Sequence, residues 1–259
     1  MKKTIAMLTA AALTLSLAAC SSAPASSGDS AAAPGSTAAS TAEQSAADSV
    51  RIAIVQQMDH ASLDQIRAAI EAELDAQAAE QGITVEYELF NGQNDTTTLN
   101  QIGTQVVGDG YDAIIPIATL AAQCMVNAAA ETETPVIYAA ISDPAAADLT
   151  DISYVTGTSD YLDTEFIMEM MFTANPDIQT VGLLYSNSEP NSEAAIAAAR
   201  AYLDEKGVAY VEATGNTNDE VLAAAVTLAD QADAVFTPTD NVIMAAAGGG
   251  SAHFTSAGD

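Results

Sequence analysis

Short runs of apolar residues alternate with amphipathic stretches from about residue 51 to residue 247. The run from Ile52 to Val55 has no polar position, which is typical of a strand buried on both faces of a parallel sheet. A capping-box pattern at Ser62 to Gln65 precedes a stripe of apolar residues at helical spacing, through Leu63, Ile66, Ile70 and Leu74. This order of strand and helix recurs, so the pattern predicts βαβ units and parallel sheets.

The remaining elements follow from the same periodicities. Further strands are predicted at Val85 to Phe90, Ala113 to Ala118, Val136 to Ile141, from Tyr154-Val155, Val181 to Tyr185, Val208 to Val211 and Asp233 to Thr237. Helices are predicted behind Asp95, from about Leu120 to Ala130, over residues 162–176, from Ala194 to Leu203 and from Val221 to Ala229, the last behind a capping box at Thr217 to Glu220.

The second half of the pattern repeats the first. Ile54 to Gln57 matches Leu184 to Asn187, and Tyr111 to Thr119 matches Ala232 to Asp240, with Asp before the strand and Pro within it in both halves. Any two buried strands look partly alike, and that is the alternative explanation. A true repeat implies two α/β lobes, over residues 50–160 and 161–247, with a cleft between them. The fold class predicted is α/β, with two Rossmann-like lobes built on parallel sheets.

Residues 1–49 have a different composition. Lys2 and Lys3 precede an uncharged apolar run that is too short to cross a bilayer, so residues 1–19 read as a secretory signal peptide. The run ends in Leu17-Ala18-Ala19-Cys20, which resembles the lipobox of bacterial lipoproteins, and Cys20 is expected to carry the lipid. The alternative is a secreted protein with a chance cysteine. Residues 21–49 are mostly Ser, Ala, Thr, Gly and Pro and are expected to form a flexible tether.

Charge and cysteine content exclude several partners. The chain has 6 Lys+Arg against 35 Asp+Glu, a net charge of −29, which would repel a nucleic-acid backbone or an anionic lipid surface. Two cysteines cannot make a disulfide scaffold, and Cys124 lies among apolar neighbours as a small core residue. We expect no nucleic-acid partner.

The sequence offers no catalytic constellation. Its two histidines, His60 and His253, lack the neighbours that a zinc site needs, and there is no Gly-x-Ser-x-Gly elbow or dinucleotide-binding glycine loop. We therefore predict no catalytic residue, metal or cofactor. An extracellular α/β hydrolase or isomerase is a weak alternative function.

Polar residues cluster where the predicted strands end. Ligands of open parallel sheets bind beyond the carboxyl ends of the strands. The residues predicted to bind a ligand there are Gln57, His60, Asn94, Thr119, Gln123, Asp143, Ser188, Asn191, Ser192, Asp240 and Asn241. Helix N-termini suit a carboxylate and Asp240 would suit an ammonium, so the expected ligand is an amino acid. On this prediction, Asp240→Ala in a completed homologue loses amino-acid binding and keeps the fold. His60 could equally be a loop or cap residue, and Asn191 and Ser192 could cap a helix.

Six segments in order also resemble a known family. They are Gln57 to Asp64, Ile117 to Gln123, Ser142 to Pro144, Val155 to Asp160, Asn187 to Ser192 and Thr237 to Asn241. They resemble the solute-binding proteins of ABC importers, most closely the subgroup associated with tryptophan or tyrosine uptake. The resemblance implies a two-lobed, hinged binding protein with a type I periplasmic-binding-protein fold. We also expect a monomer, anchored through Cys20 on the outer face of the membrane. The resemblance implies delivery of a small ligand to a membrane permease, without catalysis. It places Thr119, Asp143, Ser188, Asn191, Ser192 and Asp240 in the ligand site.

The pattern changes after Asn241. Residues 248–259 are rich in glycine and are expected to be a disordered tail. The second lobe then has no counterpart to the strand from Val136 to Ile141, so we expect it to be incomplete, from a truncated or frame-shifted coding sequence. A surface sensor domain of the same fold remains the other alternative function.

Overall fold

Helices and strands alternate over residues 49–249, the part of the chain that the computed structural model describes, except that the fifth strand follows the fourth without a helix between them. The strands are β1 (Ser49–Gln56), β2 (Thr84–Asn91), β3 (Ala113–Ile117), β4 (Val136–Ile141), β5 (Val155–Ser159), β6 (Thr180–Tyr185), β7 (Ala209–Thr214) and β8 (Ala234–Phe236). The helices are α1 (Ala61–Gln81), α2 (Thr96–Gly108), α3 (Thr119–Ala129), α4 (Thr164–Ala174), α5 (Pro190–Lys206), α6 (Asn218–Ala229) and α7 (Asn241–Gly249). The predicted signal peptide (1–19), the lipidated Cys20 with its tether up to residue 48, and the tail from residue 250 lie outside the described residues.

The strands form two sheets in which every pairing is parallel. The first sheet has the order β2-β1-β3-β4-β5, and the second has the order β7-β6-β8. We call the part from β1 to β5 the first lobe and the part from α4 to α7 the second lobe. The prediction of an α/β fold with a parallel sheet in each of two lobes is confirmed.

Both faces of each central strand are buried, as the uniformly apolar runs predict. In β1, Ala53 and Val55 belong to the core formed with α2 and α3, whereas Ile52 and Ile54 belong to the core formed with α1. Side chains alternate between the faces of a strand, so a strand covered by helices on both faces has no solvent-facing position left for a polar residue. Each lobe is therefore a sheet between two layers of helix.

The second lobe repeats this arrangement, but with a different register from the one predicted. Ile54 pairs with Ile115 in the first sheet, and Leu183 pairs with Phe236 in the second, so Ile54 corresponds to Leu183. The sequence match had placed Ile54 opposite Leu184, which is wrong by one residue. Leu184 packs against α6 and α7, on the other face of its sheet. A shift by one residue exchanges the faces of a strand, and apolar runs without alternation cannot reveal it.

An aspartate closes the amino-terminal end of each sheet in the same way. Asp112 accepts a hydrogen bond from the N–H of Arg51, at 2.8 Å, and Asp233 accepts one from the N–H of Thr180, at 2.9 Å. The backbone N–H of each aspartate donates in return to the carbonyl of the same partner residue. The shared aspartates of the predicted repeat thus have one structural role in both lobes.

The helix starts agree with the sequence at two of three places. Asp95 caps α2 through the N–H of Thr98, and Thr217 caps α6 through the N–H of Glu220, as predicted. The capping box at Ser62 is wrong, because α1 begins two residues earlier, behind His60. Its acidic residue, Asp64, instead accepts a hydrogen bond from Nε2 of Gln56.

Helix α7 includes Gly248 and Gly249, which the sequence analysis assigned to the tail. The described residues of the second lobe form a sheet of three strands, against five in the first. None of the helices within residues 49–249 is long and apolar enough to cross a membrane.

Candidate functional site

The carboxyl ends of the two sheets face each other, and polar side chains connect them. Three hydrogen bonds join the lobes: Gln57 to Glu189 at 2.7 Å, His60 to Asn241 at 3.1 Å, and Ser142 to Thr239 at 2.9 Å. All of these residues lie in loops after strands or at helix starts. The predicted position of the site, between the lobes at the strand ends, is therefore where the polar contacts occur.

Gln57 is the centre of the first lobe's contribution. It follows β1 directly and is fully buried. Its Oε1 accepts the N–H of Leu120 at the start of α3, and its Nε2 donates to Asn94 Oδ1 at 2.8 Å and to Glu189 Oε1 at 2.7 Å. Every polar atom of the amide is used, so its orientation is fixed and one N–H points into the second lobe.

Glu189 is the carboxylate that faces this amide, and sequence reasoning did not select it. It occupies the N-cap position of α5 but makes no capping hydrogen bond, and it is only 3% exposed. Its Oε2 accepts Nδ2 of Asn241 at 2.7 Å. Burial, followed by repulsion from Asp240, raises the pKa of Glu189 to about 7, although the hydrogen bonds from Asn241 and Gln57 oppose the shift. The one available signal was an acidic residue directly before Pro190, at the first position of a helix.

His60 corresponds to Glu189 in the first lobe, since it is the N-cap residue of the equivalent helix α1. It makes no capping hydrogen bond, and its Nε2 lies 3.1 Å from Asn241 Oδ1. The side chain of Asn241 therefore connects the two N-cap residues, one from each lobe.

Asp240 does not face the cleft as predicted. It is fully buried, and its Oδ2 accepts the N–H of Ser186 and the hydroxyl of Ser192, both at 2.7 Å. Its Oδ1 accepts the N–H groups of Val242 and Ile243, at 3.0 Å each. Four donors from the same lobe occupy the carboxylate, so the expectation that it holds an ammonium is wrong. It caps α7 and ties that helix to the start of α5.

The other second-lobe residues form a smaller cluster beside Thr239. Nδ2 of Asn191 donates to the carbonyl of Thr239 at 2.6 Å, while Oδ1 of Asn191 is buried without a hydrogen-bond partner. Ser188 is bonded to Ser186, with 2.7 Å between the two hydroxyl oxygens. Oδ1 of Asn191 therefore lacks a donor beside the contact between Ser142 and Thr239, and a hydrogen-bond donor of a ligand in the cleft would satisfy it.

Of the remaining first-lobe residues, the structure brings only some to the cleft. Asn94 is bonded to Gln57, and Thr119 is buried at the first position of α3. Gln123 instead lines a separate cavity of about 400 Å³, and its Nε2 donates to the carbonyl of Ala147. Asp143 accepts the N–H groups of the residues two and three positions later, so it closes its own turn. Ligand contact by any of these side chains stays a prediction.

The cleft is rich in acceptors and poor in positive charge. The cationic side chains of the described region have other partners: Arg51 and Lys206 stack on tyrosine rings, and Arg67 and Arg200 pair with glutamates. Arg200 nevertheless lines one cavity together with Glu189. Within residues 49–249 no group of three or more His, Cys, Asp or Glu side chains is placed to hold a metal ion. A buried carboxylate that pairs with no cationic side chain of the described region favours a ligand that supplies the positive charge.

Comparison with known proteins decides the family. Residues 51–249 match the sequence family described as ABC transporter substrate binding protein. The chain belongs to this family. The predicted family resemblance is thus confirmed.

Two relatives carry the comparison further. The chain is 31% identical over 198 residues to the tyrosine-binding protein of Clostridioides difficile strain R20291, covering 74% of this chain and 57% of that protein. It is 30% identical to the ABC domain in complex with L-Trp from Streptococcus pneumonia, with a TM-score of 0.69, covering 77% of this chain and 68% of that one. The chain therefore spans little more than half the length of the curated family member. A leucine binding protein from Thermotoga maritima, at 16% identity and a TM-score of 0.55, shares the fold, so the predicted type I architecture is confirmed.

A third structure bears on how the lobes are arranged. The ligand-free, open structure of a substrate binding protein with adhesive properties from Clostridium difficile is also 30% identical, covering 75% of this chain and 67% of that one, but its TM-score is 0.52. Identity and coverage are nearly equal to those of the L-Trp complex, so the chain as a whole is less similar in structure to this open relative than to that complex.

Proposed function

We propose that this chain is the solute-capturing component of an ABC importer, and that it holds a free amino acid, aromatic in preference, between its two lobes. The observation that carries the proposal is the buried Glu189 carboxylate, which faces the first lobe and has no cationic partner among the described residues. The ammonium group of an amino acid supplies that missing charge. The preference for an aromatic side chain is supported by the tyrosine-binding and L-Trp-bound relatives.

The mechanism is a change in the population of open and closed lobes. A ligand that contacts both lobes favours the closed form by the difference between its affinities for the two states. Gln57 and His60 offer first-lobe groups, and Glu189 and Asn241 offer second-lobe groups, within one hydrogen-bonded cluster. We assign no catalytic step to these residues, because binding and release are sufficient for the role.

The N-terminal segment completes the proposal. Acylation of Cys20 would anchor the protein to the outer face of the cell membrane, next to the permease that receives the ligand, and the tether would let a monomeric binding protein reach it. On this proposal, Cys20→Ser moves the protein from the membrane fraction to the medium or periplasm.

Titration with free amino acids tests the binding function. We expect L-tyrosine or L-tryptophan to bind the purified chain by calorimetry and to raise its melting temperature, since a ligand bound only by the native state stabilises it. N-acetyl-L-tyrosine is the matched control, because it keeps the ring and the carboxylate but lacks the ammonium. Equal affinity for the acetylated compound, or no response to any of the twenty amino acids, would contradict the proposal.

A further inference from the structure

Two of the three hydrogen bonds between the lobes depend on one carboxyl group. Glu189 of the second lobe accepts the N–H of Gln57 from the first lobe, and it also accepts Nδ2 of Asn241, whose Oδ1 lies beside His60 of the first lobe. Glu189 and Gln57 are both almost fully excluded from solvent. These groups therefore stay in contact only while the lobes stay together.

The charge around Glu189 disfavours its ionised form. From the start of α7 it faces the carboxylate of Asp240, and from the first lobe it faces the neutral amides of Gln57 and Asn94, with His60 one residue further through Asn241. From its own helix, Glu193, which is exposed, and Arg200, which pairs with Glu212, line the same cavity as Glu189. Asp240 has three backbone N–H groups and a hydroxyl to stabilise its charge. Burial raises the pKa of Asp240 too, but these four donors oppose the shift, whereas Glu189 has fewer donors, so Glu189 is the acid that takes up the proton.

Asn241 gives that proton an acceptor. The amide of Gln57 cannot turn, because Leu120 and Asn94 fix both of its ends. The amide of Asn241 can turn by 180°, so that Oδ1 accepts the new O–H of Glu189 and Nδ2 donates to Nε2 of His60, which then carries its proton on Nδ1. Protonation of Glu189 therefore keeps every contact between the lobes satisfied.

We propose that Glu189 is a proton-controlled latch: in the empty cleft its protonated carboxyl holds the lobes together, and an ammonium-bearing ligand displaces the proton and binds the carboxylate. This inference rests on the proposed function for its ligand, but not for the closure of the empty protein. It makes the proton a competitor of the amino acid at one side chain.

The direction of the pH effect follows from the environment of the carboxyl. In the closed, empty form the pKa of Glu189 is about 7, and opening exposes the group to water and returns the pKa towards its ordinary value. The closed, empty form therefore gains population as the pH falls through 7 and loses it as the pH rises. Between pH 7.5 and pH 6 the ratio of closed to open empty protein should rise roughly tenfold.

Calorimetric titration with L-tyrosine in two buffers of different ionisation enthalpy measures the displaced proton. At pH 6 we expect binding to release about 0.9 proton, and the affinity to weaken by up to roughly tenfold from pH 7.5 to pH 6. Glu189→Gln removes the titrating group and keeps the shape, so the release should vanish and the weaker affinity that remains should not depend on pH. Glu193→Gln, one turn along the same helix, is the matched control and should behave as the parent chain.

The ligand-free protein gives an independent readout. Dyes on Gln77→Cys in α1 and Asp204→Cys in α5, both exposed positions, report the distance between the lobes in a Cys20→Ser, Cys124→Ala background. Without ligand, lowering the pH from 8 to 6 should move the energy transfer to the value of the closed state, and Glu189→Gln should hold that value at both pH values. Ligand binding without proton release, or energy transfer that does not depend on pH, would overturn the latch and leave the binding function intact. Absence of amino-acid binding with a pH-dependent closure would overturn the binding function alone.

Discussion

The two buried carboxylates of the second lobe have different roles because their hydrogen-bond partners differ. Asp240 and Glu189 both follow a strand and precede a helix, and both are buried. Asp240 has both oxygens bonded within its own lobe, whereas Glu189 reaches a donor of the first lobe. The first is therefore a structural cap, and the second is the group that we propose for the ligand.

This difference reverses the expected effect of Asp240→Ala. The substitution leaves three N–H groups and one hydroxyl without their acceptor and removes the cap of α7, so we expect it to lower the free energy of unfolding by about 2–4 kcal/mol. Asp177→Ala, at an exposed aspartate before β6, should change it by less than about 0.5 kcal/mol. Chemical denaturation of both variants measures the difference. An Asp240→Ala protein with parental stability and no amino-acid binding would restore the original expectation.

At the scale of helices and strands, the two lobes share a glycine at equivalent positions, which amino-acid composition alone does not reveal. In each lobe a glycine directly follows the second strand: Gly92 follows β2, and Gly215 follows β7. The N–H of each glycine donates to the carbonyl of the last residue of the central strand, Gln56 or Tyr185. The backbone of the following helix or its first apolar side chain approaches so closely that there is no room for a Cβ.

Alanine at these glycines tests that close approach. A Cβ on Gly215 would lie 2.5 Å from the backbone nitrogen of Val221, and one on Gly92 would overlap the buried side chain of Leu99. We expect Gly215→Ala to lower the free energy of unfolding by about 2 kcal/mol or more, and Gly92→Ala by about 1–3 kcal/mol. Gly108→Ala, at the end of α2 with open space around it, is the control and should be neutral or stabilising by up to about 1 kcal/mol. Equal effects at all three positions, measured by thermal or chemical denaturation, would refute the steric argument.

How far the sequence predicts this molecule depends on which interactions are local. Apolar runs such as Ile52 to Val55 predict buried parallel strands, because burial on both faces leaves a direct mark on composition. The sequence alignment of the first lobe on the second is wrong by one residue, since apolar runs without alternation do not show which face of the sheet a side chain occupies. The choice between Glu189 and Asp240 could not be made either, because it depends on donors from Gln57, Ser186 and Ser192 that are distant in sequence.

At the scale of the whole molecule, two similar lobes meet through polar groups at the ends of their central strands. His60 and Glu189 are the N-cap residues of equivalent helices in the two lobes. His60 contacts Asn241 from the first lobe, and Glu189 contacts it from within the second, so equivalent positions of the two lobes meet at one side chain. Glu189 is a buried acid at this junction, and we propose that it binds the cationic group of the ligand.

A crystal structure of the chain grown with L-tryptophan tests this central claim most directly. The account predicts ligand density between the lobes, with the ammonium nitrogen within hydrogen-bonding distance of the Glu189 carboxylate and Asp240 still bonded to Ser186 and Ser192. Density for the ligand outside the cleft between the lobes, or an ammonium held by another acid while Glu189 keeps its bonds to Gln57 and Asn241, would contradict it.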